Sequence, residues 1–107
     1  MKHMVCSSFA ISLFVTGENI TEACQEYCDN NGLCVTITET NYVFTGGSEK
    51  GYIIGLINYP RFPKNNYELM FIAEDLGHFL MKKCNPQGSY TLQTPNYTHF
   101  ITNRIGD

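Results

Sequence analysis

The spacing of apolar residues along this chain switches from every second residue to a period of about 3.6 and back, twice over. That alternation limits the fold more than any other feature. Val5, Phe9, Ile11, Leu13 and Val15 share one parity, which predicts a first strand from Met4 to Thr16 with one buried face. Ile20, Ala23, Cys24, Tyr27 and Cys28 then fall on one side of a helix that Asn31-Gly32 ends. Asn19 and Glu22 open that helix with a capping-box pattern. In the second strand, Leu33 to Thr45, the residues Leu33, Val35 and Ile37 alternate. Tyr42 and Phe44 match them only after the parity slips, which predicts a bulge near Thr40-Asn41.

The stretch TGGSEKG, residues 45 to 51, reads as a hairpin turn. It leads into Tyr52 to Ile57, an almost unbroken apolar run that predicts a central strand covered on both faces. Pro60 and Pro63 follow and stop it. Asn65 and Glu68 repeat the capping-box pattern before a long helix from Asn66 to Lys83. Its core stripe is Leu69, Ile72, Ala73, Leu76, Leu80 and Cys84, and Asn85-Pro86 ends it. A strand begins at Ser89, and a turn over Thr94 to Tyr97 leads to a last strand, Thr98 to Asn103. The order β-α-β-β-α-β predicts an α+β, ferredoxin-like sandwich, an antiparallel sheet with two helices on one face, with the last strand an addition at the C-terminus.

At 107 residues the chain suits a single domain over 1–107. With 43% apolar and only 16% charged residues, it can bury enough surface to fold. The apolar start is broken by Ser7, Ser8 and Ser12 and lacks a small-residue cleavage site, so it reads as a strand and the expected location is the cytoplasm. Five cysteines, an odd number, fit a reducing compartment. Cys24 and Cys28 lie in a helix's apolar stripe, and no second pair completes a zinc set, so buried thiols are expected and no metal or cofactor.

No nucleophile motif or phosphate loop is present. Glu74 and Asp75 precede His78 by four and three residues, a pair that reads as a solvated helix face. The chain is therefore expected not to be an enzyme, with a small-molecule sensor or enzyme kept as a third class. The runner-up is single-stranded nucleic-acid binding. Leu13 to Gly17 and Lys50-Gly51-Tyr52 resemble the sheet motifs of RNA-recognition domains, which implies stacking of bases on Phe14 and Tyr52. Ile53, Ile54, Gly55 and Ile57 depart from the rest of the longer motif, and residues 3–49 hold no Lys or Arg.

Charge is segregated. Glu18, Glu22, Glu26 and Asp29 share one face of the first helix, an acidic ridge that could steer toward a basic groove on another protein. On the second helix Tyr67, Phe71, Glu74 and His78 lie opposite the core stripe. Arg61 and Phe62, stiffened by the two prolines, should stand beside them. Aromatic and arginine side chains on an ordered surface lose little entropy on docking. The expected partner is another protein, such as a host nucleic-acid-binding effector, or a second copy as a homodimer, engaged through Arg61, Phe62, Tyr67, Phe71, Glu74 and His78, and no membrane. In size, mild acidity and missing catalytic motifs, the chain resembles the small proteins that bacteriophages and mobile elements encode against host defence, including anti-CRISPR inhibitors. That resemblance implies inhibition of a host protein by steric occlusion or acidic mimicry; it is one of general character and carries over no residues.

Overall fold

The computed structural model describes residues 1–102. Five strands and two helices follow in the order β1 (Ala10–Val15), α1 (Ile20–Asn31), β2 (Thr36–Phe44), β3 (Gly47–Ile57), α2 (Asn66–Cys84), β4 (Ser89–Gln93) and β5 (Thr98–Thr102). The strands form one antiparallel sheet in the order β2-β3-β1-β4-β5. The first four reproduce the ferredoxin-like arrangement, and β5 extends the main sheet beside β4. Asn103, the expected end of the last strand, lies outside the described residues.

Both helices cover one face. Ile11, Leu13 and Val15 of β1, Ile54 and Leu56 of β3, and Tyr90 and Leu92 of β4 point into that layer. There they meet Ile20, Ala23, Cys24 and Tyr27 of α1 and Leu69, Ala73, Leu76, Leu80 and Met81 of α2. Burying a side chain of the Leu or Ile class is worth roughly 1.5–3 kcal/mol, so this one layer carries the fold. The other face stays open, with Phe14, Ile53 and Phe100 on it. β3 is thus covered on one face only, against expectation, and Ile57 at its end is 55% exposed.

Three local expectations are corrected. β1 starts at Ala10, not Met4, because its partner β3 ends at Ile57; one further bond, Asn58 N to Phe9 O at 3.1 Å, closes the ladder. β2 pairs without a bulge from Thr36 opposite Gly55 to Phe44 opposite Gly47. Tyr42 therefore lies on the open face, where its ring covers Gly51 and its hydroxyl donates to Tyr52 O at 2.7 Å. The turn is only Thr45-Gly46, with Gly46 at φ 90, and the rest of the glycine-rich stretch is strand.

The two capping-box patterns also part ways. Asn65 caps α2, accepting from Glu68 N at 2.8 Å, and its Nδ2 donates to the Glu68 carboxylate at 2.6 Å. Asn19 makes no side-chain cap; it sits in the left-handed region at φ 60. At its other end α1 closes as expected, on a left-handed Gly32 whose N–H reaches Cys28 O at 3.0 Å.

Candidate functional site

A single buried polar side chain organises one end of the sheet. Asn58, 7% exposed, follows the last residue of β3. Its Nδ2 donates to Ser7 O and its Oδ1 accepts from Lys64 N, both at 2.8 Å, while its carbonyl accepts from the Cys6 thiol at 3.3 Å. The N-terminal segment and the proline loop are thereby tied to the same strand end. Within the loop, Phe62 N donates to Tyr59 O at 2.8 Å, a turn with Pro60 at the position where its fixed φ belongs.

Against this knot two adjoining hollows form a continuous groove. The larger, about 700 Å³, is lined by Ser7, Ser8, Phe9 and Ile11, by Asn66, Tyr67 and Met70 at the start of α2, and by the β4–β5 turn with Tyr97 and His99. The smaller, about 560 Å³, shares Ser7, Phe9, Asn66 and Tyr67 and adds Asn58, Lys64 and Glu68. The turn is held by Thr94, whose N–H donates to Tyr97 O at 2.8 Å and whose Oγ1 accepts from Tyr97 N at 3.0 Å. Tyr97 and His99 lie with ring centroids 6.3 Å apart. The groove thus combines three aromatic rings, carboxamides and hydroxyls, with a cation and a carboxylate at one end. Each hollow's volume falls within the roughly 300–1,000 Å³ typical of small-molecule sites.

Tyr67 and Phe71 are uncovered on α2, at 87% and 70% exposure; Tyr67 lines the groove, and Phe71 stands one turn outside it. Arg61 is exposed, and Phe62, 41% exposed, stacks on Tyr59 at 6.0 Å rather than beside the helix rings. Glu74 and His78 are far along α2, where Asp75 and His78 are exposed as a solvated face requires, without a carboxylate–imidazole contact between them. His78 Nδ1 faces the Glu74 carbonyl at 2.8 Å, and Asp75 accepts from the Tyr27 hydroxyl of α1 at 2.7 Å.

Of the acidic set, Glu22, Glu26 and Asp29 are exposed on α1, whereas Glu18 precedes the helix. Glu26 is paired with Lys83 at 2.6 Å, which lowers the net field of the ridge, and Asp29 accepts from the neutral Gln25 carboxamide at 2.8 Å. For base stacking, Phe14 stands on the open face, but Tyr52 does not. It pairs with Val15 and packs against the core on the helix side, because its parity is that of Ile54.

Cys24 is buried, and desolvation, then the neighbouring Cys28 and Cys84, push its thiol up to about 12. Among the described residues no three His, Cys, Asp or Glu side chains are grouped to hold a metal. No helix among them is long and apolar enough to cross a membrane.

No protein-family model matches the chain, and no curated protein matches it in sequence. Solved structures do match. A phage SAM lyase in its apo state overlaps with a TM-score of 0.67, and a phage SAM lyase in complex with S-methyl-5'-thioadenosine with 0.62. Each is 13% identical, covering 100% of this chain and 98% of the other. A de novo designed protein with a ferredoxin fold overlaps at 0.40 and 11% identity, covering 95% and 89%. The expectation of a non-enzyme is corrected by the first two: the same fold, end to end, serves an enzyme. Missing local motifs are no argument against catalysis, because catalytic groups can come from segments far apart in sequence.

Proposed function

We propose that this chain is a lyase acting on S-adenosylmethionine and releasing S-methyl-5'-thioadenosine, with the groove around Tyr67 as its site. The observation that carries the reading is the full-length overlap with the phage SAM lyases, at a TM-score of 0.67 for the apo form. The groove's chemistry supports it. The substrate's sulfonium is a cation, and ring faces such as those of Phe9, Tyr67 and Tyr97 attract cations by about 0.5–2 kcal/mol each. The same rings offer a surface for the adenine. Lys64 and Glu68 supply opposite charges for the carboxylate and ammonium of the amino-acid arm.

In the reaction, the bond between sulfur and the arm's terminal carbon breaks and its electron pair goes to sulfur, leaving a neutral thioether. The arm closes on its own carboxylate oxygen or sheds a proton to a base; His99 is the imidazole that lines the groove. Positive sulfonium and negative carboxylate both vanish in the closure. The test is incubation of purified protein with S-adenosylmethionine and chromatographic detection of S-methyl-5'-thioadenosine. Enzyme-dependent release that Tyr67→Ala reduces supports the reading. No release, together with no heat of binding for S-methyl-5'-thioadenosine, overturns it.

A second reading rests on Phe71. We infer from a ring 70% exposed, one turn from Tyr67, a docking strip for another protein or a second copy, as an inhibitor or homodimer would need. Sedimentation of the wild type beside Phe71→Ala, alone and with candidate host effectors, tests it. Identical profiles throughout remove the strip.

A further inference from the structure

At the other end of the β4–β5 hairpin, away from the groove, α2 and β4 enclose a hollow of about 280 Å³. It is lined by His78, Met81, Lys82, Pro86, Tyr90 and Ile101. Its histidine keeps a proton on one particular nitrogen. A backbone carbonyl only accepts, so the 2.8 Å approach of His78 Nδ1 to Glu74 O puts a proton on Nδ1. The Tyr90 hydroxyl, 3.1 Å from that same carbonyl and 3.3 Å from Nδ1, donates to the first and accepts from the second. The two rings meet edge to face, with centroids 5.6 Å apart.

Tyr90 is buried and cannot shift toward α2 without collision. Its ring lies over Gly77, where a Cβ would meet it at 2.4 Å. These contacts orient the imidazole with its proton on Nδ1, and Nε2 is the atom left free for a ligand. Lys82, exposed and one turn further along α2, lines the same hollow and can swing its ammonium over it. The floor beneath both is apolar.

We propose that this hollow binds a small organic carboxylate. The apolar body lies over Met81, Tyr90 and Ile101, and the carboxylate sits between Lys82 Nζ and a protonated His78 Nε2. The neutral imidazole presents a lone pair at Nε2 and repels an anion, so binding takes up one proton from solvent there. The charged or titratable neighbours of that imidazole are Glu74, Asp75 and Lys82 on its own helix and Tyr90 on β4; Ile101 and Thr102 of β5 add none. Because binding takes up a proton, affinity falls as pH rises. The site is independent of the lyase reading, because it shares no residue with the groove.

The test is a titration of 15N-labelled full-length protein with benzoate, and separately with inorganic phosphate, at about pH 6 and about pH 8, following the His78 ring nitrogens. The expected result is an Nδ1-protonated neutral ring and saturable benzoate shifts that weaken at the higher pH. Lys82→Met should loosen binding severalfold, His78→Gln should remove the pH dependence, and phosphate should be much weaker. An Nε2-protonated neutral ring overturns the proposal. So do unsaturable benzoate shifts, equal binding by Lys82→Met, or phosphate binding as tight as benzoate.

Discussion

The Tyr27 hydroxyl of α1 donates to the Asp75 carboxylate of α2 at 2.7 Å, and this bond orients the two helices that cover the sheet. Around it, the Tyr27 ring meets Phe79 at 5.4 Å, Lys83 lies 5.3 Å from the centre of the Phe79 ring, and Lys83 reaches Glu26. Tyr27→Phe keeps the ring contact and removes only the donor. Asp75 is exposed and water can replace the lost bond, so the expected cost is about 1 kcal/mol. Thermal unfolding should read it as a fall in Tm of about 4–8 °C; an unchanged Tm means the bond adds nothing to the interface.

The same burial makes the fold sensitive to alkali. Desolvation first, then the bond to and charge of Asp75, raise the pKa of Tyr27. Burial pushes Tyr90 up to about 12 and Cys24 up to about 12. A group that holds its proton more tightly folded than unfolded stabilises the fold below its unfolded pKa. That contribution is lost as pH rises toward the folded value. Stability should hold to about pH 9 and then decline steadily toward pH 12. Melting curves across that range, with tyrosinate absorbance recorded alongside, check both the slope and its cause. A Tm independent of pH above 10 contradicts it.

Two patterns of identical spelling should respond differently to mutation. Asn65→Ala removes a formed cap and should cost about 1 kcal/mol. Asn19 caps nothing with its side chain and occupies a left-handed backbone, so Asn19→Gly should be neutral or stabilising by a few tenths. Chemical denaturation of the two variants compares them directly, and a loss at Asn19→Gly as large as at Asn65→Ala contradicts the assignment.

That contrast marks what a sequence can and cannot disclose. Element order, helix stripes and the Gly32 stop were legible because each depends on residues within a turn or two of one another. The failed cap at Asn19 was not legible. The chain reaches α1 through Gly17 at φ 143, whose Cβ position is 2.9 Å from Cys84 O, and this distant contact fixes the entry angle. The expected bulge in β2 came from reading Tyr42 and Phe44 as core. Beyond Ile37 the β2–β3 hairpin outruns the helices, so odd-numbered Val43 is itself exposed and parity stops reporting burial. The groove was the least legible feature: Phe9, Tyr67 and Tyr97 carry no shared spacing and meet only when β1, α2 and the β4–β5 turn come together.

Substitutions at Asn58 separate stability from site geometry. Asn58→Ala leaves Ser7 O and Lys64 N without their side-chain partner, at a cost of about 1–3 kcal/mol for each group that stays buried. The N-terminal segment and the proline loop, both walls of the groove, then lose their common anchor. Asn58→Asp keeps an acceptor for Lys64 N but presents an unprotonated oxygen to Ser7 O, so it should free the N-terminal segment alone. Tyr67→Ala, by contrast, removes an 87% exposed ring and should leave Tm within what about 0.5 kcal/mol can move. If the groove is the site, all three weaken binding of S-methyl-5'-thioadenosine in calorimetry, but only the two Asn58 variants also lower Tm. Full affinity in Tyr67→Ala, with its Tm intact, removes the groove from the reaction whatever the chain's activity proves to be.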